Sequence, residues 1–254
     1  MKKTIAAICL AVLLGGCVST LTLQPTVLDG QQRIYQQGIE SVISTKKVVV
    51  AIRPSSSTFK SQARPTVIIS VFNRTDEPFD LSTEDIEAFA DGHPLKVFTY
   101  EELTAEIKSR QAWAAVAAAL NGAAQSMNAA NAGYRYQSGT FNGSVYGSNG
   151  YSAYGSGSYS GYTYDPAAAQ QAQAAANAQT QANLETINNE TENALRGLSS
   201  TILRRTTVLP RTWAGGYVTL AKMPPDQPHE IRIVVHAAGE QHEFLLRQVR
   251  LPSQ

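Results

Sequence analysis

The chain has 254 residues, 43% hydrophobic and 16% charged, with 21 basic side chains against 20 acidic ones and a formal net charge of +1. That balance leaves no electrostatic footprint for a nucleic acid. The length allows one large domain or two. Both cysteines, Cys9 and Cys17, fall within the first seventeen residues, so the remainder must be held together by packing.

Residues 1–16 read as an export signal. Lys2 and Lys3 give a positive start, and residues 4–14 form an apolar run. The run is shorter than the roughly 20 residues that cross a bilayer, and it has the length of a signal-peptide core. Leu14-Gly15-Gly16-Cys17 follows, and it resembles the lipobox of bacterial lipoproteins. The resemblance implies cleavage before Cys17, a diacylglyceryl group on its thiol and acylation of the new N-terminus. Two or more acyl chains hold a protein stably on a membrane without spanning it. Val18 and Ser19 come next, with no aspartate. By analogy with enteric lipoproteins that implies the outer membrane, on its periplasmic face or at the cell surface. Cys9 leaves with the signal.

Residues 17–45 have mixed polarity and read as a lipidated tether, with a short helix weakened by Gly38. The first firm strand is KKVVVAIRP, where Val48, Val50 and Ile52 alternate before Pro54. RPTVIISVFNRT follows, with Val67, Ile69 and Val71 on one side and Ile68 and Phe72 on the other. A strand apolar on both faces belongs at the centre of a sheet. Asp91-Gly92 marks a tight hairpin turn, after which Leu95, Val97 and Thr99 share a face.

From Tyr100 the grammar becomes helical. Thr99 or a neighbour caps the start, and Glu101 and Glu102 suit the positive end of the helix dipole. Trp113, Val116, Leu120, Ala123 and Met127 recur at 3,4 spacing and define an apolar seam. Residues 133–164 hold eight tyrosines among dense glycine and serine, which forfeit much backbone entropy on ordering. They read as a disordered tip. Asp165-Pro166 restarts a helix, whose seam is Leu184, Ile187, Thr191, Ala194 and Leu198. Residues 101–207 therefore read as an antiparallel helical hairpin.

Strand patterning returns in residues 208–254. Val218 and Leu220 alternate with Tyr217, Thr219 and Ala221. Ile231, Ile233 and Val235 then lead through AAGEQ to Phe244 and Leu246. About four strands precede the insertion and three follow it. The fold class predicted is α+β, an immunoglobulin-like antiparallel β-sandwich, its first part at 46–100, with a long inserted helical hairpin. The stretches FNRTDEPFDLS, DGHPLKVFTYEEL and VLPRTWAGGYVTL resemble the β-sandwich domain of uncharacterised Gram-negative lipoproteins. That resemblance covers roughly residues 45–100 and 205–250 and implies no catalytic residues.

Few residues point to chemistry. His93 belongs to a turn. His236 and His242 flank the last hairpin turn, where with Glu240 or Glu243 they form the one metal candidate, without the spacing of a known metal motif. The acid pairs Glu84-Asp85 and Glu101-Glu102 fit a turn and a helix start. No G-x-S-x-G elbow or phosphate loop is present, so no catalytic residue and no cofactor is assigned. Trp113 and Trp213 read as packing residues, and Arg204 and Arg205 as partners of a helix C-terminus. The candidate contact residues are Tyr146, Tyr151, Tyr154, Tyr159 and Tyr162, amphipathic rings that contact a partner at low entropic cost.

These readings predict a lipid-anchored envelope protein, lipidated at Cys17, that is a non-catalytic binding or assembly module. Its partners are the membrane, through the lipid, and an envelope protein or further copies of itself. A homo-oligomeric accessory of a secretion or surface system is the alternative. An envelope enzyme or metal carrier using His236 and His242 is the third.

Overall fold

The computed structural model describes residues 19–36, 38–146, 148, 150 and 152–252. The chain forms two compact units. One runs to Thr104 and resumes at Gly197, and the other is Ala105–Arg196.

Ten strands precede the helices. They are β1 (Thr20–Thr26), β2 (Gln31–Gln36), β3 (Ile39–Thr45), β4 (Val49–Pro54), β5 (Phe59–Lys60), β6 (Thr66–Phe72), β7 (Phe79–Leu81), β8 (Ile86–Ala90), β9 (His93–Pro94) and β10 (Val97–Phe98). The helices α1 (Tyr100–Asn131) and α2 (Pro166–Thr201) enclose β11 (Tyr134–Tyr146) and β12 (Ser152–Tyr164). The chain then continues through β13 (Thr206–Val208), β14 (Trp213–Leu220), β15 (His229–Ala237) and β16 (Glu240–Arg250).

In the first unit the strands make two antiparallel six-stranded sheets, ordered β5-β1-β16-β15-β8-β9 and β10-β14-β6-β4-β3-β2. Strand periodicity explains the core. Val50 and Ile52 of β4, Val67, Ile69 and Val71 of β6, and Val218 and Leu220 of β14 point inward from one sheet. Ile231, Ile233 and Val235 of β15 meet them from the other, with Phe244 and Leu246 of β16. These are the alternating sets the sequence predicts. β6 is indeed interior, paired with β14 and β4. Asp91 and Gly92 both take positive φ, 50° and 83°, in the turn joining β8 to β9. After β9 the chain changes sheets, and β10 pairs with β14.

The tether reading is corrected. This segment holds β1, β2 and β3: β1 lies between β5 and β16 and buries Leu21 and Leu23, and β3 buries Val42. Gly38, with φ of 78°, makes the turn between β2 and β3 rather than weakening a helix. Leu21 and Leu23 alternate with threonines, which is strand grammar. β2 is a polar edge strand, QQRIYQ, with little apolar signal of its own.

The stretches before and after the insertion are knitted together by Asn73, whose amide is fully buried. Its Nδ2 donates to the carbonyls of Glu77 (2.8 Å) and Val208 (3.1 Å). Its Oδ1 accepts from the Thr75 N–H (2.9 Å) and hydroxyl (2.7 Å). β7 pairs with β13 beside it. At the end of α2, Leu203 N–H donates to the Tyr217 carbonyl at 2.8 Å. Gly216 permits this approach: a Cβ there would sit 2.7 Å from Leu203 N.

In the second unit α1 and α2 pack through small residues. Ala118 and Ala129 of α1 and Ala169 and Ala176 of α2 are buried. A Cβ on Gly122 would lie 2.5 Å from Thr180 Oγ1. Gln111 Nε2 donates to Asn188 Oδ1 and Gln173 Nε2 to Ser126 Oγ, each at 2.9 Å. Asp165 Oδ1 accepts from the Ala167 and Ala168 N–H groups, as its N-cap position predicts. Thr99 and Glu102 form a reciprocal capping box at the start of α1.

Candidate functional site

The second unit carries the unusual surface. The apolar seam of α1 does not face α2. Trp113, Leu120 and Met127 are 73%, 68% and 72% exposed, and Val116 is exposed beside them. The helix contact instead runs through Ala114, Ala118 and Gly122. Small side chains let two backbones approach closely, so they occupy the interface and the large apolar residues remain outside. The α2 seam fares better: Leu184, Ile187, Thr191 and Leu198 are half-buried, and Ala194 lines the groove between the helices.

Tyr134–Tyr146 and Ser152–Tyr164 are strands, where the sequence predicts a disordered tip. β11 and β12 pair antiparallel along thirteen residues each, from Tyr134↔Tyr164 to Tyr146↔Ser152. Asp165 N–H donates to the Gly133 carbonyl at 2.8 Å, closing the base of the ribbon. The even positions share one face. There Tyr134 meets Tyr164 with ring centroids 5.0 Å apart, and Tyr136 meets Tyr162 at 5.4 Å. The odd positions share the other face. Tyr159 lies across Gly139 and Phe141 across Gly157, where an added Cβ would meet the rings at 2.7 and 2.6 Å. Gly139 and Gly157 therefore bed aromatic rings across the ladder, an arrangement that steadies glycine-rich strands. A glycine count misses this, because the pairing emerges only once the register is known.

Of the predicted contact residues, Tyr146, Tyr154 and Tyr162 are exposed on the even face, and Tyr159 is exposed on the odd face. Tyr151 lies outside the described residues, as does Cys17. Among the described residues, neither outer edge of the β11–β12 ribbon is paired.

The first unit offers a shallow groove of about 660 Å³ on the outer face of the β14–β6–β4–β3 region. Ile34, Ile43, Ile68, Trp213 and Tyr217 line it, with Thr201 at its rim. Trp213 also stacks on Phe72, with centroids 5.2 Å apart. Arg204 sits over the Tyr100 ring at 4.7 Å, and Arg205 pairs with Asp80 at 3.1 Å. The acids of Glu84-Asp85 have a structural cause: Ser82 and Asp85 form a capping box on a 3₁₀ turn.

The metal candidate fails on parity. His242 pairs across the hairpin with Val235 and points into the core, where its Nδ1 lies 3.0 Å from Ser44 Oγ. His236 pairs with Gln241, on the opposite face, and its Nε2 lies 3.4 Å from Glu87. Neighbouring positions along a ladder alternate faces, so the two imidazoles cannot converge on one ion. Among the described residues no three His, Cys, Asp or Glu side chains gather as a ligand set, and no helix is long and apolar enough to cross a membrane.

Comparison with protein-family models, curated proteins and solved structures finds no match.

Proposed function

We propose that this chain is a lipid-anchored protein of the bacterial outer membrane that works as a non-catalytic assembly module. Its first unit is an immunoglobulin-like domain, and its second unit is the one through which copies associate. The observation that carries the reading is the open apolar stripe of α1, Trp113-Val116-Leu120-Met127. Large apolar patches on soluble proteins mark interaction sites, and this one keeps the spacing of a coiled-coil seam. Acylation of Cys17 supplies the anchor. β1 begins at Thr20, so three residue steps at about 3.6 Å each would hold the domain within about 11 Å of the lipid.

Sedimentation velocity of the lipidated protein in mild detergent tests the reading. The expected result is an oligomer that becomes monomeric in a Trp113→Glu, Leu120→Glu double variant. A wild-type protein that stays monomeric at high concentration overturns it.

A second reading, a binding arm for a different envelope protein, draws on the exposed even-face rings Tyr146, Tyr154 and Tyr162. Photo-crosslinking from position 154 in cells separates the two. Adducts between copies favour assembly, and one discrete foreign adduct favours the binding arm.

A further inference from the structure

The β11–β12 ribbon poses a physical problem. A two-stranded ribbon on its own is at best marginally stable in water, and this one extends about 44 Å at ~3.4 Å per residue. Both edges are open among the described residues. Soluble proteins protect such edges with charges, prolines or short strands. Here the whole stretch from Tyr136 to Tyr164 contains no charged side chain and no proline.

The two faces differ in chemistry. The even face places Ser138, Thr140, Asn142 and Ser144 opposite serines 160, 158 and 156 and Tyr154. The odd face holds Phe141, Val145, Ala153 and Tyr159, with glycine at 139, 143, 155, 157 and 161. Between Gly139 and Val145, and again between Ala153 and Gly161, the only polar group on that face is the Tyr159 hydroxyl. A face lined by hydroxyls, those of Tyr136, Tyr146, Tyr154 and Tyr162 included, opposite a face that is glycine, aromatic or aliphatic between its polar ends at Gln137 and Thr163, without charge, is the pattern of a strand pair with water on one side and lipid on the other. Paired only within itself, the ribbon would carry unpaired backbone groups into lipid, which the bilayer does not tolerate; a closed ring of strands satisfies them. The lengths are of the right order: the apolar stretches run six residue steps from Gly139 to Val145, about 20 Å, and eight from Ala153 to Gly161, about 27 Å, and at a tilt of ~40° the longer one rises about 21 Å along the membrane normal, against the ~25 Å apolar band of outer-membrane barrels.

We propose that the β11–β12 hairpins of several copies of this chain pair edge to edge and close into one β-barrel that crosses the outer membrane, with the odd face toward lipid and the even face lining a polar channel. The proposal rests on the assembly reading above and gives it a geometry. β12 of one copy pairs antiparallel with β11 of the next, which continues the up-and-down order. At two strands per copy, about four copies are the fewest that reach the eight strands of the smallest membrane barrels. The α1 stripe lies in the same unit as the ribbon and supplies an apolar contact between neighbours that the ribbon itself lacks.

The test uses the full-length lipidated protein, purified in mild detergent and placed in planar bilayers of phosphatidylethanolamine and phosphatidylglycerol. Two lysine variants at adjacent positions probe opposite faces: Thr140→Lys on the even face and Phe141→Lys on the odd. The wild type is expected to give discrete conductance steps. Phe141→Lys should reduce the frequency of insertion by roughly thirtyfold or more, because its charge meets lipid near the midplane. Thr140→Lys should insert normally and shift selectivity toward anions, since a ring of ammonium groups would line the channel. Equal behaviour of the two variants overturns the barrel, as does absence of conductance from the wild type. Native mass spectrometry of the same samples separates the levels of failure. Oligomers or fibres without conductance overturn the barrel and leave assembly standing, whereas monomers alone overturn both. Circular dichroism and an unchanged unfolding transition of the first unit confirm that each variant is folded.

Discussion

Asn73 shows how much one side chain can organise. Its donors satisfy the Glu77 and Val208 carbonyls, and its oxygen satisfies two donors of Thr75, while the side chain itself is fully buried. Asn73→Ala leaves the Val208 carbonyl and the Thr75 groups short of partners. A loss of about 2–3 kcal/mol is expected, read as a lower denaturant midpoint at unchanged slope. His242 sets the response to acid. Burial lowers its pKa most, Lys46 lowers it further, and Glu240 opposes them. The unfolded imidazole takes its proton near pH 6.5, while the buried one waits for a lower pH. Below about pH 6.5 the unfolded state therefore binds more protons, and stability should decline as pH falls. His242→Gln, which keeps a partner for Ser44 and cannot titrate, should flatten that decline in unfolding curves measured between about pH 6.5 and 5. Asp91 acts at lower pH. Hydrogen bonds from His229 and from the Glu230 N–H hold its carboxyl below the usual range. The stability it contributes is complete above about pH 4 and is lost as pH falls through its folded value.

At the scale of elements, the phase of α1 is what separates sequence from structure. The 3,4 spacing of Trp113, Val116, Leu120 and Met127 is real, yet it describes the outside of the helix pair. Paired mutations make the distinction measurable. Ala118→Leu overfills the buried contact and should cost about 1–3 kcal/mol. Leu120→Lys, two residues on but exposed, should change the stability of dilute protein by no more than about 0.5 kcal/mol. Equal costs would place Leu120 in the contact between the helices. The inward positions of β4, β6, β14, β15 and β16 were legible because a strand with one buried face writes its alternation into the residue types. β2 was hidden by its polar edge position, and β1 by its place directly after the stretch that ends at Cys17. The β11–β12 ribbon was unreadable for a different reason. Its glycines are determined by rings on the opposite strand, at Gly139 with Tyr159 and Gly157 with Phe141, and no local window contains both members of such a pair. The candidate contact tyrosines all come from this stretch, and their division between two faces required the register.

For the whole molecule, the division into two units predicts that stability and association separate. The core formed by the two six-stranded sheets draws every member from outside residues 105–196. Asp165 N–H donates to the Gly133 carbonyl, so the ends of the ribbon already meet where α1 gives way to α2. A short Gly-Ser loop can therefore replace residues 133–164 without pulling the helices apart. In that variant the first unit should unfold at the wild-type midpoint, to within about 0.5 kcal/mol, because none of its buried groups has changed. Self-association should weaken but persist at high concentration, since the α1 stripe remains, and it should disappear when Leu120→Glu is added. Membrane conductance should be lost with the loop replacement alone. An early-unfolding variant would mean that the ribbon supports the sheets, and the two units would then have to be treated as one cooperative structure.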